Sequence, residues 1–422
     1  MKSPTKAILL LLTVLVLCAF AIQQWTGLVK CKPLSGVTET QAKPTLAFSN
    51  FIDGSFQQDE EAFLKQNSGF REPLTRLYNQ TLWAFFRYSK VVEDQRVLIT
   101  KDNWMFEPWS VEEYRQSRSY TYAKDSLGMA QKLENEAQRL IQLQKALEPY
   151  NTHFFVALLP GKEQICGEHI PPATHPHWDK KITAYGFYSK RFKELGINHV
   201  DFAEWFMQMK DTVSYPLFPQ TGTHWSNLAA QHVADSLVRY MEWLADTNMV
   251  NILVGEDFQR TLKPDADLES LLNLIWPIKK QPNRLAYAYV DGDTTAWRPR
   301  ILTIGDSFYW NILNFTPVWD VFESVPYWYY FSTVYFDSDD LTATRKISDL
   351  DVLQEVVDAD FVMLSYSTSA LYEMSNGFSE RLIQELKLEQ NKSTIRRETT
   401  GHKTLDSGDV AHPELPRPAS KN

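Results

Sequence analysis

The sequence predicts an α/β fold, a three-layer sandwich with a parallel sheet, and three observations carry that prediction. Residues 154–159, 301–304 and 361–364 are short, nearly continuous apolar runs, as expected of strands buried on both faces. Segments with helical apolar spacing stand between such runs, so helical crossovers join parallel strands. The residues best suited to chemistry follow directly on the ends of the apolar runs, where an open parallel sheet forms its ligand crevice.

Taken in order, the chain opens with an export signal. Lys2 and Lys6 precede an apolar run over residues 7–22 that only Thr13 interrupts. At ~1.5 Å per residue the run is short for a membrane span. Trp25, Leu28 and Val29 extend it, and Trp suits the membrane interface. Ala19-Phe20-Ala21 also resembles a cleavage site, so residues 1–30 read as a signal peptide or a signal anchor, and the anchor is the reading adopted. The lysines then stay in the cytoplasm and everything after about residue 30 is exported, placing a periplasmic domain on an inner-membrane anchor. No lipobox precedes Cys18 or Cys31.

Residues 31–49 are polar and read as a linker, and residues 50–390 as one domain. Within it, Phe63, Leu64, Phe70, Leu74, Leu77, Leu82, Phe85 and Phe86 give residues 57–90 a helical spacing. Residues 97–99 and 104–106 read as strands around a Lys101-Asp102-Asn103 turn. Met129, Leu133, Ala137, Leu140, Ile141 and Leu147 predict a helix over 127–148 that Pro149 ends. Pro160-Gly161 closes the strand at 154–159. Helices are expected at 181–195, 225–244, 350–357 and 377–388, and a strand at 197–202. Residues 391–422 are polar, contain Pro413, Pro416 and Pro418, and read as a disordered tail. No internal repeat is present.

Composition narrows the function. With 44% hydrophobic and 23% charged residues in 422, the chain is ordinary for a globular protein. Its net charge of -9 argues against a nucleic-acid partner, which requires a basic face to neutralise phosphates. Cys18, Cys31 and Cys166 form no disulfide framework and are expected as isolated thiols. The 13 Trp, 19 Tyr and 24 Phe suit stacking on sugar rings, although a large aromatic core accounts for most of them. His169, His175 and His177 lie near Cys166 in a proline-broken segment, and Asp337, Asp339 and Asp340 lack a calcium-loop pattern. No metal and no cofactor are expected.

Two segments can carry chemistry. In Thr303-Ile304-Gly305-Asp306-Ser307-Phe308, an apolar strand runs into a turn and a helix. That position exposes Ser307 at the ligand edge and supplies backbone N–H groups for an oxyanion. Gly305 allows close backbone approach, and Asp306 structures the turn. Gly-Asp-Ser is equally a plain turn sequence. In Thr221-Gly222-Thr223-His224-Trp225-Ser226, His224 precedes a helix that Ser226 can cap. A serine nucleophile needs a base, and histidine is the usual one. Lys162 follows the strand at 154–159 and could hold a carboxylate or polarise a carbonyl, or be an ordinary surface lysine. Tyr309 and Trp310, with Trp225 beside the histidine, are further substrate candidates or packing residues.

In this order the two segments resemble the periplasmic alginate O-acetyltransferases and their relatives, which have an SGNH-hydrolase-like fold in permuted motif order. That family shows Thr-x-Thr-His-Trp-Ser/Thr followed later by Gly-x-Ser. Asp102-Asn103-Trp104-Met105-Phe106 resembles an earlier family segment, and Leu158-Leu159-Pro160-Gly161-Lys162 with His169-Ile170-Pro171 another. The resemblance covers roughly residues 50–375 in four short blocks. It implies O-acetylation of an extracytoplasmic polysaccharide, with Ser307 carrying the acetyl group and His224 as its base. It also implies a membrane-embedded acyltransferase partner as acetyl donor. A carbohydrate esterase and a non-catalytic polysaccharide-binding or scaffold protein are the alternatives. Longer family members carry an appended carbohydrate-binding module, which is not expected here after about residue 390.

One position departs from the family. Where it has an Asp two residues before the His, this chain has Gly222. Losing the acid from an intact triad costs on the order of 10⁴-fold in rate. A backbone carbonyl, or a carboxylate from elsewhere such as Asp201 or Asp211, is expected to orient His224.

Overall fold

The computed structural model describes residues 4–36, 42–94, 96–115, 126–172, 183–260, 262–292, 295–335 and 344–401. It opens with helix α1 (Pro4–Thr26), which is long and apolar enough to cross a membrane. Its 23 residues rise ~35 Å at ~1.5 Å each, because the helix continues past the apolar run through Gln23 and Gln24. Helices α2 (Ser55–Asn67) and α3 (Arg71–Phe86) follow, separated at Ser68-Gly69. A two-stranded ribbon, β1 (Leu98–Ile99) and β2 (Met105–Phe106), comes next.

The central domain is then built from α4 (Ser126–Leu147), β3 (His153–Leu159), α5 (Ala184–Leu195), β4 (His199–Asp201), α6 (Phe202–Met209) and α7 (Asn227–Ala245). An antiparallel pair, β5 (Ile252–Gln259) and β6 (Arg284–Val290), packs on α7. Next come β7 (Ile301–Gly305), α8 (Tyr309–Phe315), β8 (Tyr327–Tyr329), β9 (Thr333–Tyr335), β10 (Thr344–Lys346), β11 (Phe361–Ser367) and α9 (Phe378–Gly401).

The main sheet has seven strands in the order β10-β9-β8-β7-β11-β3-β4. From β8 to β4 every pairing is parallel. The all-parallel expectation needs correction at one edge, where β9 and β10 pair antiparallel. Only residues 330–332 join β8 to β9, and so short a link can only turn the chain back on itself. Tyr330 and Phe331 make that turn with φ of 47° and 49°, in the left-handed region.

The sheet is covered on both faces, which explains the unbroken apolar runs. Along β3, Phe155, Ala157 and Leu159 face α6, α7 and α8, while Phe154, Val156 and Leu158 face α4, α5 and α9. Phe361 and Met363 of β11 alternate with Val362 and Leu364 in the same way. A smaller cluster, including Trp83, Val97, Met105, Leu268, Leu272 and Ile278, joins α3 to the ribbon and to the segment around residue 270.

Three boundaries differ from the sequence reading. The strand expected at 197–202 stops at Asp201, whose carboxylate accepts the Glu204 amide at 2.8 Å and starts α6. The last helix runs on to Gly401, into the segment read as tail. The start of the linker is tied down, because Arg76 donates to the carbonyls of Lys32 and Pro33 at 2.8 and 2.7 Å.

Candidate active site

The carboxyl ends of four parallel strands converge on one crevice. β7 delivers Asp306 and Ser307, β3 delivers Lys162 and Glu163, β11 delivers Ser367 and Ser369, and β8 delivers Tyr330. Gly305 is required by packing rather than by substrate, since a β-carbon there would collide with the Ser365 carbonyl oxygen of β11. Asp306 is buried and accepts the amides of Phe308 (3.1 Å) and Ser367 (2.8 Å), which fixes the turn that presents Ser307.

His224 arrives from the loop before α7. Ser226 caps that helix by accepting the Ala229 amide. The His224 Nε2 lies 2.9 Å from Ser307 Oγ, and Nδ1 lies 3.1 Å from Asp267 Oδ2. A carboxylate can only accept, so Nδ1 carries the proton and Nε2 is left to accept from the serine hydroxyl. Asp267 is held in turn by the amides of Thr223 (2.8 Å) and Leu268 (2.7 Å) on Oδ1. The arrangement has the geometry of a Ser-His-Asp triad, with the acid supplied from a different place in the chain. Asp201 and Asp211 are not that acid. Asp201 caps α6 and accepts the Tyr185 hydroxyl, and Asp211 is exposed.

Neighbouring bonds hold the acid's segment against the histidine loop. Thr221 donates to Glu269 at 2.9 Å, Asn227 to Asp265 at 3.0 Å, and Lys280 pairs with Glu269. Lys162 completes the clamp. It is buried, and its ammonium donates to the carbonyls of Met105 (2.7 Å), Gln220 (3.1 Å) and Gly222 (2.6 Å). Three donors meet three backbone acceptors, so Lys162 fixes the histidine loop instead of reaching out to a substrate carboxylate.

The electrostatics suit general-base chemistry. Burial pulls the His224 pKa down, but the hydrogen bond and charge of Asp267, helped by Glu107 and Asp306, outweigh it and raise the value above the usual one. Burial raises Glu107 and pushes Glu163 up to about 7, and it lowers Lys162 to about 8. Ser369 donates a short hydrogen bond to Glu163. Tyr330 and Ser307 line the same cavity. The cavity beside Ser307, lined by Glu107, Trp109, Ser110, Glu163, Tyr330 and Ser369, measures about 20 Å³, roughly the space of one water.

Two substrate candidates belong to the core. Tyr309 and Trp225 are fully buried, Trp225 between Phe206 and Phe308 with ring centroids 6.0 Å from each. Trp310 is half-buried against Tyr327 and Tyr335. His169 stacks on Trp104 with centroids 4.1 Å apart. Among the described residues no group of three or more potential metal ligands occurs, and Cys18, Cys31 and Cys166 are free thiols. His175, His177, Asp337, Asp339 and Asp340 lie outside the described residues.

Asp267, Glu107, Glu163 and Tyr330 were not singled out from sequence. The one signal for the acid is Asp265-x-Asp267-x-Glu269 after Pro264, three carboxylates interleaved with Ala266 and Leu268.

Residues 97–311, just over half of the chain, match the family described as SGNH hydrolase-like domain, acetyltransferase AlgX. His224, Asp267 and Ser307 all fall inside that match. The probable alginate O-acetylase AlgJ of Pseudomonas aeruginosa is 28% identical over 200 residues, 46% of this chain and 46% of the relative. The chain thus spans about half the length of the curated relative it matches. Among solved structures, the O-acetyltransferase domain of Pseudomonas putida AlgJ aligns with 15% identity and a TM-score of 0.40, over 65% of this chain and 92% of that one. Pseudomonas aeruginosa AlgX aligns with 11% identity and a TM-score of 0.39, over 67% and 65%. Bacillus cereus PatB1 aligns with 12% identity and a TM-score of 0.39, over 65% and 95%.

Proposed function

Since the chain belongs to the SGNH hydrolase-like, AlgX-type acetyltransferase domain family, we propose that it moves acetyl groups onto hydroxyls of an extracytoplasmic polysaccharide through a serine acetyl-enzyme. The observation that carries this reading is His224 bridging Ser307 Oγ at 2.9 Å and Asp267 Oδ2 at 3.1 Å. In the first half-reaction His224 takes the Ser307 proton as Oγ attacks the acetyl carbonyl of the donor. Asp267 stabilises the resulting imidazolium, and the Ser307 amide is the first donor to the oxyanion. Collapse expels the donor's leaving group, which takes the proton from His224. In the second half, His224 deprotonates a sugar hydroxyl, which attacks the acetyl-serine carbonyl. The proton then returns to Ser307 as its ester bond breaks.

The donor in this reading is a membrane-embedded acyltransferase, and α1 tethers the exported domain beside it. The non-catalytic alternative rests on Gly222, and the Asp267 carboxylate 3.1 Å from His224 Nδ1 supports the catalytic reading over it.

The test is intact-mass measurement after exposure to an activated phenyl acetate, for wild type, Ser307→Ala, His224→Ala and Asp267→Asn. An added acetyl group in wild type that is lost in Ser307→Ala is the expected result. Acetyl-enzyme that persists in water but discharges onto a polysaccharide marks a transferase, and rapid hydrolysis marks an esterase. Identical spectra for all four proteins would sink the proposal.

A further inference from the structure

Helix α3 has two different faces. Its inner side is anchored, with Trp83 buried, Asn79 donating to the Leu272 carbonyl and Gln80 accepting from the amides of Ile275 and Trp276. Its outer side carries Leu74, Leu77, Tyr78 and Phe85 at helical spacing, and these are exposed, Tyr78 to 64% and Phe85 to 78%. An exposed apolar stripe of this kind normally has something covering it.

The start of the helix says what covers it. Gly69, just before α3, lies against the Phe20 carbonyl, where a β-carbon would collide, and Phe70 packs edge-on to Phe20 with centroids 5.7 Å apart. Phe20 lies near the end of the apolar run of α1, before Gln23 and Gln24. The last residue of α1, Thr26, lies six residues further on, ~9 Å along the axis at ~1.5 Å per residue. If α1 spans the membrane, the start of α3 is fixed at the level where hydrocarbon gives way to headgroups. Amphipathic helices settle at that depth, ~5–10 Å into the boundary. Charge agrees in sum: between Gly69 and Lys90 the charged residues are Arg71, Arg76, Arg87 and Lys90 against Glu72 alone, in a chain whose net charge is -9, although Arg76 is bonded to the Lys32 and Pro33 carbonyls and Arg87 stacks on Trp83. Such a local excess suits anionic lipid headgroups.

We propose that α3 lies on the outer leaflet of the membrane that holds α1, with Leu74, Leu77, Tyr78 and Phe85 set into the lipid boundary. The domain then rests on the bilayer instead of swinging from a tether. Because α3 packs through Leu268 and Leu272 on the segment that carries Asp267, the catalytic crevice takes a fixed height above the membrane. This inference stands apart from the acetyl-transfer chemistry and needs only that α1 is retained.

The experiment places a photo-crosslinking benzoyl-phenylalanine at Tyr78 or Phe85 in the full-length chain, in its native membrane. Trp243, exposed to 72% on α7, is the control position. These side chains are already exposed and aromatic, so the fold tolerates the change, and a circular dichroism melt checks it. Phospholipid adducts at 78 and 85 at least fivefold above those at 243 are expected. Adducts only with another protein would assign the stripe to a protein partner and overturn the proposal, as would no excess over the control. In vesicles of phosphatidylethanolamine with or without phosphatidylglycerol, adduct yield should rise with the anionic lipid. Equal yields would overturn the role given to the basic residues.

Discussion

Gly222 and Asp265 touch through their backbones: a β-carbon on Gly222 would lie 2.9 Å from both the carbonyl carbon and the oxygen of Asp265. The position where the resembled family has its acid is therefore filled by the very segment that brings Asp267 to His224. A side chain at position 222 would require that segment or Pro219 to shift. Gly222→Asp should destabilise the protein by about 1–3 kcal/mol, the usual cost of overpacking. It should also fail to restore activity to Asp267→Asn. Chemical denaturation and acetyl-transfer rates check both, and a rescued double variant would show that Asp267 is not the working acid.

Asp267→Asn should cut the acetylation rate by on the order of 10⁴-fold, because the amide can present a donor to Nδ1 and so favours the wrong tautomer. The pH profile carries a second signature. His224 acts as a base only when neutral, and its pKa is raised chiefly by Asp267 working against burial. The wild-type rate should climb with pH through a midpoint above the ordinary imidazole value. In Asp267→Asn that support is gone and burial remains, so the midpoint should fall. An unmoved midpoint would separate Asp267 from the histidine's titration.

Lys162→Met should act on structure before substrate. It strips three donors from the carbonyls of Met105, Gln220 and Gly222. Leaving buried acceptors unmet costs about 1–3 kcal/mol each, partly recovered by relaxation, so a loss of several kcal/mol is expected. The rate of acetyl-enzyme formation should fall with small donors that carry no carboxylate. A variant of full stability that has lost only its affinity for an anionic polymer would instead show Lys162 meeting substrate.

Glu163 should make the protein less stable at neutral pH than in mild acid. Burial holds its folded pKa at about 7, above its ordinary value of 4.5. The folded state therefore keeps a proton that the unfolded chain releases, and stability falls as pH rises from about 4.5 to 7. The full effect at pH 8 is on the order of 3 kcal/mol. Glu163→Gln keeps a partner for Ser369 without the charge. Its Tm should exceed that of wild type at pH 8 and match it near pH 4.5, and a constant difference across that range would refute the assignment.

Much of this was legible in the sequence. The apolar runs at 154–159, 301–304 and 361–364 became β3, β7 and β11, because a strand covered on both faces must be apolar at every position. Ser307 and His224 each occupy a place that local sequence defines, after a strand and before a capped helix, and it is the family resemblance of the two segments together that singles them out. The mixed edge at β9 and β10 and the antiparallel pair β5–β6 were not visible. Their strands are short or carry polar residues such as Glu256 and Asp257, which no single period reveals.

What the sequence by itself determined, then, is the layered α/β domain, the apolar N-terminal helix and the placing of Ser307 and His224 at the ends of their elements, since each depends on spacing within a few turns of chain. What only the tertiary structure decided is which acid serves His224 and which polar side chains are structural. Asp267 lies 43 residues from His224 and reaches it through a fold-back held by Asp265, Glu269 and Lys280. Lys162 reads as a loop lysine until three carbonyls close around it. A hydrogen bond between distant residues is set by where packing puts both ends, and no local pattern records that.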